Sequence, residues 1–73
     1  DVQLHLSLGV LLATEKQFKA AQLELEKADA LQPGTFEILF HLGQATLRNG
    51  DNPNAELALS RALKLEPESP ETL

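Results

Sequence analysis

The stretch KADALQPGTFE, residues 27–37, returns near the other end of the chain as RALKLEPESPE, residues 61–71. Ala28, Leu31 and Pro33 in the first stand to Ala62, Leu65 and Pro67 in the second at one offset, 34 positions. Such a fixed offset suggests a chain built from one unit used twice. Setting residues 2–35 on residues 36–69 aligns all 34 positions without a gap and gives eight identical pairs. Besides the three above these are Leu8/Leu42, Gly9/Gly43, Ala21/Ala55, Leu23/Leu57 and Leu25/Leu59. In a chain rich in Leu and Ala the count only suggests a repeat. The positions decide it, because the matches fall where helix packing needs a small or an apolar residue.

Each unit reads as two helices. Leu4, Leu8, Leu11 and Leu12 recur at i, i+4, i+7 and i+8, an apolar stripe of helical period. The polar break TEKQ (Thr14 to Gln17) follows. Phe18, Ala21, Leu25, Ala28 and Leu31 or Ala30 then form a second stripe, closed by Pro33 and Gly34. The second unit repeats the plan with Ile38, Leu39, Leu42 and Ala45, the break RNGDNPN, and Ala55, Leu59, Ala62, Leu63 and Leu65 before Pro67. Gly50 suits a helix C-terminal turn. Asp51 or Asn52 caps the next helix with Pro53 in its first turn, where a missing N–H costs nothing. Thr35 is expected to cap the third helix, and Ser69-Pro70 to open a fifth. The predicted helices are 2–15, 18–31, 35–48 and 52–65, with short breaks that make neighbours antiparallel.

Gly9 and Gly43 lie beside Leu on the apolar face, where a mid-helix glycine costs about 1 kcal/mol relative to Ala. The expected reason is close approach of the partner helix backbone, with Ala21 and Ala55 as the small surfaces opposite. Ala28 and Ala62 would do the same where one hairpin meets the next.

Composition narrows the function classes. There is no Cys, so disulfides, thiolate chemistry and Cys-based zinc sites are excluded. No run of apolar residues is long enough to cross a membrane as a helix. Six basic residues against eleven acidic give a net charge of −5, a sign that repels phosphate backbones and argues against nucleic acid as a partner. The 42% hydrophobic content suits a folded chain. A start at Asp1 and the lack of any Met are read as a piece of a longer protein.

The pattern Leu8-Gly9, Leu12, Ala21, Leu25, Ala28, Pro33, with Leu42-Gly43, Ala55, Leu59, Ala62, Pro67, resembles the tetratricopeptide repeat. The resemblance covers residues 2–35 and 36–69, with residues 70–73 as the start of a third repeat or a tail. It implies an all-α fold of four helices, antiparallel hairpins stacked as an α–α superhelix. The departures are His5 and Leu39 in place of an early aromatic, Leu12 and Thr46 in place of a Tyr, and Leu25 and Leu59 in place of second-helix aromatics. They exchange aromatic bulk for aliphatic packing.

The resemblance also implies a protein-binding scaffold without enzyme activity, cofactor or metal, whose groove is lined by the first helix of each unit. The groove positions are Gln3, Leu6, Ser7, Val10, Ala13 and Thr14, then Glu37, Phe40, His41, Gln44, Leu47 and Arg48. Leu6, Val10, Phe40 and Leu47 lie off the main stripes, so a partner with apolar side chains is one reading and a wider core the other. The Lys and Asn clamp of the chaperone-tail binders is absent, since its places hold Leu6, Val10 and His41. His5, His41 and Glu37 offer a thin case for a metal or acid–base site, with no third ligand at a convincing spacing. The carboxylates Glu15, Glu24, Glu26, Asp29, Glu56, Glu66, Glu68 and Glu71 read as solvated faces, and Glu15–Lys19 and Glu24–Lys27 are spaced for helix pairs.

The last helix carries Ala55, Leu57, Ala58, Leu59, Ala62, Leu63 and Leu65, more apolar residues than one partner helix covers. The leading expectation is an interaction module for a protein or peptide. The other is a structural spacer or self-association segment of a longer repeat array, joined through the apolar face of the last helix.

Overall fold

The computed structural model describes residues 1–65. Within them the chain forms α1 (Val2–Thr14), α2 (Phe18–Leu31), α3 (Phe36–Arg48) and α4 (Asn52–Leu65), with no strand among the described residues. The predicted ranges hold to within one residue. Pro67, Ser69, Pro70 and the three C-terminal glutamates lie outside the described residues.

The breaks follow from local chemistry. After α3, Gly50 takes the left-handed conformation at φ 84. Its N–H bonds Leu47 O at 3.1 Å and the N–H of Asp51 bonds Thr46 O at 2.9 Å, the Schellman arrangement that satisfies the last carbonyls. Asp51 then starts α4 by accepting from the backbone N–H of Asn54 at 3.4 Å and from its side-chain amide at 2.6 Å. Thr35 differs from expectation. It precedes α3 but makes no side-chain cap bond, because its hydroxyl is turned back onto Gln32, donating to that carbonyl at 3.2 Å and accepting from Gln32 Nε2 at 3.0 Å.

The break after α1 repeats the Schellman bonds, Lys16 N to Ala13 O and Gln17 N to Leu12 O, both 2.9 Å. Lys16 stands where the second unit has Gly50, and its φ is 64. A side chain in this conformation costs about 1–2 kcal/mol, and glycine gives back about 0.4–1 kcal/mol as greater freedom of the unfolded chain. Lys16→Gly should therefore stabilise by a net of roughly 0.5–1 kcal/mol. It should raise the urea midpoint at unchanged slope; a lower midpoint contradicts this account of the turn.

The core lies between the hairpins. α2 gives Ala21, Leu25 and Ala28; α3 gives Ile38, Leu39, Leu42 and Ala45; α4 adds Ala58 and Ala62. Thr46 is buried and polar, and its hydroxyl is satisfied by donating to Leu42 O at 2.9 Å within its own helix. The helices touch in the order α1–α2, α2–α3 and α3–α4, and α1 also meets α3.

The expected stripe of α1 is corrected. Leu4, Leu8 and Leu11 are exposed, while Leu6 is in the core with Val2, Val10, Leu12 and Ala13 packed against it. α1 is apolar on nearly every side, so two stripes of helical period coexist and periodicity cannot choose between them. The choice is made by where α2 and α3 lie.

The glycines are explained, with a change of partner. A Cβ on Gly9 would sit 2.6 Å from Leu25 Cγ and 2.8 Å from its Cδ2, with the Ala21 carbonyl at 3.4 Å. A Cβ on Gly43 would collide with the Leu59 side chain in the same way, with Leu59 N at 3.4 Å. A leucine side chain therefore fills the gap in each hairpin, and the backbone comes second. Ala62 is buried although no helix follows α4 among the described residues, so it serves its own hairpin.

Candidate functional site

The first helices of the two units each carry one stripe at matching positions. On α1 it runs Gln3, Ser7, Val10, Thr14, and on α3 Glu37, His41, Gln44, Arg48, each at i, i+4, i+7 and i+11. Gln3, Ser7, Thr14, Glu37 and Arg48 are exposed; His41 and Gln44 are half-buried. Val10 leans onto the core, and the Thr14 hydroxyl donates to Val10 O at 3.0 Å. Leu47 is exposed next to Arg48 on α3.

Two predicted groove residues lie elsewhere. Leu6 is buried in the core rather than facing a groove, because α3 covers that side of α1. Phe40 lies in an apolar groove between α3 and α4, lined by Phe36, Phe40, Leu59, Ala62 and Leu63. Phe36 stacks on Phe40 with centroids 5.8 Å apart, and His41 meets Phe40 edge-on at 5.5 Å. Phe36 was missed as a surface residue, although its spacing of four from Phe40 was readable.

Arg48 ends α3 with its guanidinium carbon 5.9 Å from the centre of the Phe18 ring on α2. The contact holds the one cation of the stripe at the helix end that favours positive charge. At the same edge Asn49 Nδ2 donates to Gln22 Oε1 at 3.2 Å, tying the α3–α4 turn to α2.

His5 faces α2, where its Nδ1 lies 2.8 Å from Glu24 Oε1. An ionised carboxylate only accepts, so this nitrogen carries the proton. That hydrogen bond, with Lys27 Nζ at 3.6 Å, holds the Glu24 carboxyl below its ordinary range against the opposing effect of burial. Asp51 is likewise lowered, first by the Asn54 side chain. Glu24 is thus half-buried rather than on a solvated face. Glu15 ends α1, so it shares no helix with Lys19, and no ion pair joins them among the described residues. His5 and His41 each have a different neighbour, and no group of three metal-ligating side chains gathers among the described residues.

The model of the tetratricopeptide repeat matches residues 2–35 and again residues 36–69. The chain belongs to the tetratricopeptide repeat family. Its two tandem units have the boundaries given by the 34-residue offset, and the four helices are its two hairpins. Members are repeat scaffolds that mediate protein–protein interaction. No curated protein and no solved structure matches the chain. Among the described residues no helix of this tetratricopeptide pair is long and apolar enough to cross a membrane.

Proposed function

We propose that this tetratricopeptide pair is a non-enzymatic interaction module that holds a peptide or partner segment along α1 and α3. The observation that supports it is the stripe of Gln3, Ser7 and Thr14 beside Glu37, His41, Gln44 and Arg48. Its amides, hydroxyl groups and single cation offer directional contacts on two helices that touch, with exposed Leu47 as an apolar margin. A ligand with backbone amides and a carboxylate near Arg48 fits this chemistry.

The test is selection of peptides on the chain, followed by mapping of amide shifts. The resonances of Ser7, His41, Gln44 and Arg48 should move, and Arg48→Glu should weaken binding by about tenfold or more, roughly 1.4 kcal/mol. Peptides that shift other faces, or bind Arg48→Glu as well as the wild type, contradict the reading. A second reading, that of a spacer or self-association segment, is favoured by the apolar faces that are open at both ends of the stack among the described residues.

A further inference from the structure

The 34-residue offset allows each hairpin to be judged by the other. In the second unit Ile38, Leu42 and Ala45 are 1%, 9% and 1% exposed, because α2 of the preceding hairpin lies on them. The same positions of the first unit are Leu4, Leu8 and Leu11, at 61%, 38% and 52% exposure. No helix occupies that side of α1 among the described residues.

The other end shows the converse. Leu6 and Leu25 are 5% and 0% exposed, since α3 is seated between α1 and α2. Their counterparts Phe40 and Leu59 line the open α3–α4 groove, with Phe40 at 39% exposure. Asp29 of the first unit is replaced there by Leu63, which is 71% exposed. The open seat is thus more apolar than the filled one. Among the described residues the chain has an uncovered ridge at one end and an uncovered seat at the other, and its own α2–α3 junction shows how the equivalent pair fits.

We propose that a second copy of the chain fills this seat: α1 of one copy packs into the α3–α4 groove of the next, through Leu4, Leu8 and Leu11 against Phe36, Phe40 and Leu63. The occupant is argued from continuity with the internal junction, where α3 fills the matching seat with the ridge Ile38, Leu42 and Ala45 that Leu4, Leu8 and Leu11 repeat on α1. The polar edge matches at one contact and not at the other. Inside the chain Gln22 lies against Asn49 and Asp51. At the new junction Glu56 takes the place of Gln22 and Gln17 that of Asp51, so an amide and a carboxylate meet again with roles exchanged. Glu15 takes the place of Asn49, so the internal Gln22–Asn49 hydrogen bond becomes two facing carboxylates, Glu56 and Glu15, whose repulsion salt screens.

One consequence separates this from a symmetric dimer, and a second sets its salt dependence. Ridge and seat are different surfaces, so the contact is head-to-tail and a series of copies grows. Each copy carries a net charge of −5, so salt strengthens association by screening repulsion between copies.

The experiment is sedimentation equilibrium of the 73-residue chain from about 10 μM to about 1 mM, near 0.05 M and near 0.5 M salt. The average mass should rise from 8.0 kDa past that of a dimer without a plateau, and further at the higher salt. Leu11→Glu removes the ridge and Leu63→Glu the seat; both side chains are exposed, and helical circular dichroism should match the wild type. Leu4→Glu serves as a second ridge variant. Each variant alone should stay at 8.0 kDa, and an equimolar mixture of Leu11→Glu with Leu63→Glu should form a one-to-one pair and stop there. Arg48→Glu should associate as the wild type does, so loss of the peptide reading leaves this one standing. The proposal is overturned if the wild type stays monomeric, which assigns both faces to other helices, if a single variant still associates, or if the mixture does not pair.

Discussion

Leu25→Ala should lose about 3–4 kcal/mol of folding stability, within the range of 2–5 kcal/mol for leucine truncations in well-packed cores. Leu25 has no exposed surface, and it fills the gap left by Gly9 while α3 covers its other side. Two helices and a third thus close on it, and none can move in without giving up its own contacts. A chain of 73 residues has a total stability of roughly 4–11 kcal/mol at the usual value per residue, so the variant should be near the edge of folding. Leu59→Ala is the internal control. The same residue at the same repeat position is half-buried, because nothing follows α4 among the described residues, and its truncation should cost about half as much. Urea unfolding of both variants measures the difference. Equal losses would contradict the order of stacking.

Gly43→Val should be the most damaging substitution by insertion, at about 2–3 kcal/mol. In an open helix, replacing glycine with a larger residue gains stability, by about 1 kcal/mol for alanine. Here the first added carbon meets Leu59 at its branch point, and the Leu59 backbone nitrogen stands 3.4 Å behind it. A χ2 change moves the leucine methyl groups but not Cγ, and the χ1 change that moves Cγ takes Leu59 off its packing across the hairpin, so either route loosens α3 against α4 near Ala55, Ala58 and Ala62. Trimming the partner should restore the fit. Gly43→Ala with Leu59→Ala should be more stable than the sum of the two single changes by about 0.5–3 kcal/mol, the coupling expected of side chains in direct contact. Simple additivity would mean that the two residues do not meet.

The helices were legible because independent signals agreed, although the TEKQ break after α1 holds neither Pro nor Gly and rests on period and offset. The apolar period, the Pro and Gly residues in the breaks, and the 34-residue offset together placed the boundaries within one residue of those observed. The faces were less legible, and the first helix least of all. Leu4, Leu8 and Leu11 read as core since leucines at helical spacing normally are, yet whether a stripe is buried depends on a neighbouring helix, which the sequence of α1 does not contain. Ile38, Leu42 and Ala45, at the same repeat positions, are buried because α2 precedes them. The same reasoning applies to Leu6, which looked like a surface residue by its place off the stripe and is covered by α3.

Lys16 could have been found from the alignment with Gly50, since a glycine at one copy of a turn warns of left-handed backbone at the other. The His5–Glu24 bond could not, because Leu39 and Ala58 stand at those positions in the second unit and make no polar contact to copy. Thr35 failed as a cap for a local reason: Gln32, three residues earlier, competes for its hydroxyl.

The central claim is that one hairpin, closed by a leucine across a glycine, has been built twice and stacked. Nuclear Overhauser effects between the Leu25 methyl groups and the Gly9 α protons, and between those of Leu59 and Gly43, test it most directly. Strong cross-peaks for both pairs are predicted, in a spectrum that also links α2 to α3. Their absence, or cross-peaks that place either glycine against solvent, would contradict it.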